Sequence, residues 1–152
     1  LDQHNEEKGI IHTHSYKIAN EIKKRVKSKR LLFSNASDRD QVLKKHKKSK
    51  EPTVLVSPSM TEGVDLSGDA SRFQVLCKVP YPYLGDKIVK KRMNKWKWWY
   101  SFQTVKKVIQ SIGRSIRSED DKAVTYILDS DWSRFYSFNR TLFPSDFSDC
   151  IK

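Results

Sequence analysis

Residues 109–118 read IQSIGRSIRS. Wound as an α-helix, Gln110, Arg114 and Arg117 fall at i, i+4 and i+7 and share one face, while Ile109, Ile112 and Ile116 point elsewhere. The apolar side would hold the segment on a core. The other side presents two guanidiniums, which stay charged at every accessible pH and offer planar, bidentate donors. Such a fork meets anions, phosphates above all.

A second stretch, SPSMTEGVDLSG (57–68), gathers the hydroxyls of Ser57, Ser59 and Thr61, the pair Glu62–Gly63, and Asp65. Hydroxyls and free amides in a turn suit phosphate oxygens of a nucleic-acid backbone. Gly63 allows a close backbone approach, and Asp65 can accept from a ribose hydroxyl or hold an arginine. A third stretch, HTHSY (12–16), offers Ser15 and Tyr16, and places His12 and His14 two apart with no third or fourth ligand spaced for a metal. No metal site is expected. SEDD (118–121) reads as a solvated turn, and no Ser-His-Asp or Cys-His arrangement is legible.

Elements that could position these groups alternate along the chain. Apolar runs at 9–14, 30–34, 53–57, 72–79 and 123–129 predict five strands. Helices are expected at 15–28, capped by the Ser15 hydroxyl, and at 37–48, capped by Ser37. Between the fourth and fifth strands a long helical insertion covers 86–94 and 96–113. Its Trp98, Phe102, Val105, Ile109 and Ile112 step by four and three as a core-facing stripe. Nearly all-apolar strands alternating with helices predict an α/β fold, a mostly parallel sheet with helices on both faces. Ligands would then collect at the carboxyl ends of the strands, where 13–16, 57–68 and the approach to 110–117 are all expected. Residues 1–8 read as a poorly ordered lead-in, and 9–152 as one domain.

The 152 residues carry 30 Lys and Arg against 18 Asp and Glu, a net charge of +12. That excess favours polyanions. No run approaches the roughly 18 apolar residues of a membrane span. Nothing at the start reads as a secretion leader, so no membrane partner and an intracellular location are expected. Cys77 and Cys150 lie far apart, as packing residues of a reduced compartment.

TEGVDLSG, then VPYPYLGD, a Trp/Tyr-bearing helix and QSIGRSIRSEDDKAVTYILD together resemble the C-terminal helicase domain of the XPD/DinG family of superfamily 2 helicases. The resemblance runs from GIIHTHSY to LFPSDF. It implies a RecA-like fold forming the second half of an ATP-driven motor on single-stranded DNA or a forked duplex, moving 5′ to 3′. It implies that Arg114 and Arg117 reach the ATP γ-phosphate, Arg117 foremost as arginine finger, with Gln110 and Gly113 beside them. Glu62, Gly63 and Asp65 would couple nucleotide to strand, and Ser15, Tyr16, Ser59 and Thr61 would touch the strand. The family's Asp-x-Arg after the last strand is replaced by Asp129-Ser130-Asp131, and Arg134 is the candidate to compensate.

No GxxxxGK[ST] loop and no DEAH-like pair occur here. ATP and Mg²⁺ would therefore be held mainly by an N-terminal RecA-like partner domain. An iron–sulfur cluster, if any, would lie in that half, and none in this chain. The domain alone is expected to be inactive. The competing reading is a basic nucleic-acid-binding module that keeps helicase motifs as a relic.

Overall fold

The computed structural model describes residues 1–58, 66, 68–113, 115 and 122–150. Five strands form one sheet: β1 (Gly9–His12), β2 (Leu31–Phe33), β3 (Val54–Ser57), β4 (Phe73–Leu76) and β5 (Val124–Ile127). Their spatial order is β2-β3-β1-β4-β5, and every pairing is parallel. The helices are α1 (Tyr16–Arg25), α2 (Arg39–Lys48), α3 (Lys87–Lys95), α4 (Lys97–Ile112) and α5 (Trp132–Asn139).

Because side chains alternate across a strand, the register sorts the core into two faces. Ile11, Leu31, Val54, Val56 and Phe73 share one face, on which Ala19 and Ile22 of α1 pack. Ile10 and Leu55 lie on the other, under Val42 and Leu43 of α2 and the buried Leu66. Further along that second face, Leu76 and Ile127 meet Val105 and Val108 of α4 and the aromatic cluster of Trp132, Phe135, Tyr136, Phe143 and Phe147. The sequence pattern assigned no element to this C-terminal cluster, although its ring spacing is helical at 132, 135 and 136.

The expected caps differ. Ser15 occupies the cap position of α1 without a side-chain cap bond; its carbonyl instead accepts from Thr13 Oγ1 at 3.0 Å. Asp38, not Ser37, precedes α2, and Ser37 donates to Asn35 Oδ1. Asp86 is a working cap, accepting from the amides of Ile88 and Val89 at 2.7 and 3.3 Å. The first eight residues, expected as a frayed lead-in, carry a 3-10 turn at Asp2–His4. His4 stacks on Phe73 with centroids 4.4 Å apart, and the Arg30 guanidinium donates to the carbonyls of His4 and Glu7 at 2.6 and 2.8 Å.

The insertion holds the largest departure from expectation. Of the expected stripe only Val105 is fully buried, with Ile109 and Ile112 partly buried beside it, while Trp98 is 60% exposed and Phe102 42%; Val108 and Ser111, off that stripe, are buried instead. Sixteen residues of helix span about 24 Å, whereas a four-residue strand reaches only about 13 Å. The C-terminal half of α4 lies on the sheet and its N-terminal half overhangs the edge, where there is no sheet to bury rings against. Tyr100 pins the overhang by donating to the Pro82 carbonyl at 2.9 Å and stacking on Tyr81.

Candidate functional site at two edges of the sheet

At the carboxyl edge, β1 ends at His12 and the chain turns through Thr13 and His14 into α1. The amide of Thr13 donates to Ser57 at 3.0 Å and that of Cys77 to His12 at 3.0 Å, so the ladder closes around this turn. His14 has φ 49°, in the left-handed region. The connections from β1 and β4 leave this edge in opposite directions, which opens a crevice between them. Ser15 is half-buried at its rim and Tyr16 is 54% exposed. Burial, then the ammoniums of Lys78 and Lys107, lower the His14 pKa to about 4. The ring is a neutral group beside two cations. Ser59, Thr61, Glu62, Gly63 and Asp65 lie outside the described residues; Ser57 and Leu66, which flank them, are buried on the face covered by α2 and α4.

Gln110 and Gly113 are elsewhere, which corrects the expectation that all three segments share the carboxyl edge. Gln74, the second residue of β4, donates through Nε2 to the Ile112 carbonyl at 3.0 Å and to Thr125 Oγ1 at 2.9 Å. Ser115 donates to Ser71, just before β4, at 2.8 Å. The end of α4 is therefore fastened at the amino edge. The reason is directional: a helix leading into a parallel strand must finish where that strand begins. Gly113 closes α4 with φ −65°, its amide donating to Ile109 at 2.9 Å. Gln110 is half-buried one turn earlier. Arg114 and Arg117 follow outside the described residues.

Two positioning groups escaped the sequence reading. Gln74 is wholly buried within an otherwise apolar strand, and that lone amide in RFQVLCKV was the available signal. Asp129 accepts from the Val79 amide at 2.8 Å, tying the end of β5 to the segment after β4. Arg134 is engaged by Asp131, with Nη2 2.9 Å from Oδ1. The rings of His12 and His14 stack 5.9 Å apart, and among the described residues no group of three or more His, Cys, Asp or Glu could hold a metal ion.

Known proteins share the family's sequence pattern and the fold. A family model described as the helicase C-terminal domain matches residues 2–144. An ATP-dependent DNA helicase DinG from Photobacterium profundum is 32% identical over 74% of the chain. The chain spans only 18% of that protein's length. Among solved structures, an apo XPD superposes with a TM-score of 0.70 at 19% identity, covering 91% of this chain and 31% of that one. The Xpd4 of S. tokodaii gives 0.63 at 20% identity, covering 88% and 29%. The fold is thus the RecA-like α/β sheet of those helicase domains.

Proposed function

Since the chain belongs to the helicase C-terminal domain family, of the XPD/DinG type, we propose that it is the second motor domain of an ATP-driven helicase stepping 5′ to 3′ on single-stranded DNA. The supporting observation is the separation of its two edges. Ser15 and Tyr16 sit at the carboxyl edge, while the helix end that carries Gln110 and Gly113 is fastened at the amino edge. Ser57 ends β3 at the carboxyl edge and Ser71 precedes β4 at the amino edge, and Leu66, between them in the sequence, is buried. One edge serves the strand, and the other faces the nucleotide held by an upstream RecA-like domain with Mg²⁺.

In this reading Arg114 and Arg117 face the γ-phosphate. Phosphoryl transfer spreads charge over equatorial oxygens, and a well-aimed guanidinium supplies on the order of 10³–10⁵ in rate. Gln110, in the last turn of α4 before Gly113, orients the phosphate or the attacking water. Glu62, Gly63 and Asp65 pass the loss of that charge to Ser59 and Thr61, and with Ser15 and Tyr16 these hold the strand. Closure and reopening of the interdomain cleft then advance the strand.

The test is Arg117→Ala in the full polypeptide that carries this chain. ATP turnover should fall by about 10³ or more while strand binding persists; unchanged turnover removes Arg117 from the finger role. The 152-residue chain alone should not hydrolyse ATP, and robust Mg²⁺-dependent turnover by it would contradict the division of labour.

A further inference from the structure

We propose that residues 1–8 form a taut strap that delivers the position of an upstream domain to the end of α4, with Arg30 as its positioning residue. The proposal rests on the motor reading for the existence of that upstream domain.

The strap is docked on the sheet. On the face packed by α1, the helical members of the core are Ala19 and Ile22. Phe73 of β4 and Tyr126 of β5 belong to the same face and meet His4. The His4 ring lies flat on Phe73 and edge-on to Tyr126, with centroids 4.4 and 5.6 Å away. Its Nδ1 donates to Glu7 at 2.5 Å, and its Nε2 lies 2.9 Å from the Tyr126 hydroxyl. That hydroxyl also reaches Gln3 Oε1 at 3.3 Å.

Arg30, the residue before β2, fastens the backbone. Its guanidinium donates to the carbonyls of Leu1, His4 and Glu7 at 3.2, 2.6 and 2.8 Å, and to that of Pro52 at 2.6 Å. A planar fork with donors in fixed directions can hold three strap carbonyls and one carbonyl of the domain body at once. A lysine, a point charge on a flexible stem, cannot impose the same shape. Terminal segments fray unless tied down. This one is tied at Leu1, Gln3, His4 and Glu7.

The place of the grip gives the strap its reach. Side chains alternate across a strand, so Gln74 and Thr125, the neighbours of Phe73 and Tyr126, point to the opposite face. There Gln74 bonds Thr125 and the Ile112 carbonyl at the end of α4. A pull on His4 therefore acts on the two strands whose far side aims Gln110 and the arginines beyond it. Coupling of this kind travels through packed rings and hydrogen bonds in contact. Docked, the strap is a short, stiff joint. Released, its eight residues would give about 26 Å of slack, and a cleft closing through slack would not turn the helix end.

The experiment uses the full polypeptide and measures ATP turnover and duplex unwinding. Arg30→Met removes the fork and keeps much of the bulk. It should lower kcat about tenfold or more, while KM for ATP and affinity for oligo-dT stay as in the wild type. Arg30→Lys should restore part of kcat. A residue that only stabilised the domain would lower the melting temperature and leave kcat of the folded protein unchanged. Inserting Gly-Gly-Ser before Leu1 touches none of these contacts, so it stays readable if Arg30→Met folds poorly. It should cut the base pairs unwound per ATP about tenfold, and add no further loss in Arg30→Met, where the slack already exists. Unchanged kcat in Arg30→Met, a loss accounted for by melting alone, or an insertion without effect would overturn the strap. Failure of the motor reading would look different, as unchanged ATP turnover in Arg117→Ala.

Discussion

The ring of His46 donates through Nε2 to the carbonyl of Ala70 at 2.7 Å. Its Nδ1 is consequently the acceptor for the Thr53 hydroxyl at 2.8 Å, which fixes one neutral tautomer. The ring is fully buried. It ties α2 to the 3-10 turn Gly68–Ala70 that leads into β4, so the entry into β4 depends on an uncharged imidazole.

Acid should loosen this tie. Burial lowers the His46 pKa, and Lys8 and Lys47 add to the effect against the opposing Ala70 bond. His14 is lowered to about 4. Both folded values lie below the unfolded one of 6.5, so below that pH the unfolded chain takes up protons which the native rings refuse. This contribution to stability is complete above pH 6.5 and is lost as pH falls toward the folded values. Melting followed by circular dichroism should show a lower midpoint at about pH 5 than at about pH 7.5. His46→Leu should lower the midpoint at neutral pH and flatten the decline, with a cost of about 2–4 kcal/mol from the two orphaned partners.

Much of the architecture was legible before any coordinates. Five apolar runs became five parallel strands, because a strand buried on both faces must be apolar throughout. The helix boundaries moved inward by a few residues at most ends. Periodicity failed at Trp98 and Phe102 because it reports which residues share a face, not whether a sheet lies beneath that face. Placement of QSIG failed for a related reason: loop order says nothing about edge until the direction of α4 is known. The cap position moved from Ser37 to Asp38, whose carboxylate accepts from Asn35 and makes no cap bond.

Gly9 is fixed by contact, not by backbone angle. A Cβ there would sit 2.5 Å from Phe73 Cε1. The Phe73 ring has nowhere to retreat, since His4 stacks on it with an interplanar angle of 15°. Gly9→Ala should destabilise by about 1–3 kcal/mol. His4→Ala in the same chain should recover part of that loss by giving the ring room; a melt with no recovery would deny the sandwich.

The hydroxyl of Tyr81 donates to Asp131, which Arg134 also engages. The Tyr81 bond, followed by the Arg134 charge, holds the Asp131 carboxyl below its usual 3.8. Burial and the same bond push the tyrosine above its ordinary value. Stability from this pairing is present above the ordinary carboxylate pKa and is lost as pH falls through the folded one. Tyr81→Phe should raise the Asp131 pKa toward the ordinary range, read by carboxyl-carbon NMR titration. An unmoved titration would assign the shift to Arg134.

Gln74 joins fold to chemistry. Its amide holds the last carbonyl of α4 and the hydroxyl of Thr125, the second residue of β5. Gln74→Leu keeps the bulk and removes both bonds, at a cost of about 1–3 kcal/mol. The chain continues from that helix end into Arg114 and Arg117, so a small displacement there is a displacement of the proposed nucleotide contacts. A misplacement of about 1 Å can cost about 10² in rate. In the full polypeptide, ATP turnover should therefore fall far more than melting temperature does, while strand affinity, which the proposed function places at the opposite edge, stays as in the wild type. Equal losses in turnover and strand affinity would mean that Gln74 supports the domain as a whole and does not aim its last helical turn.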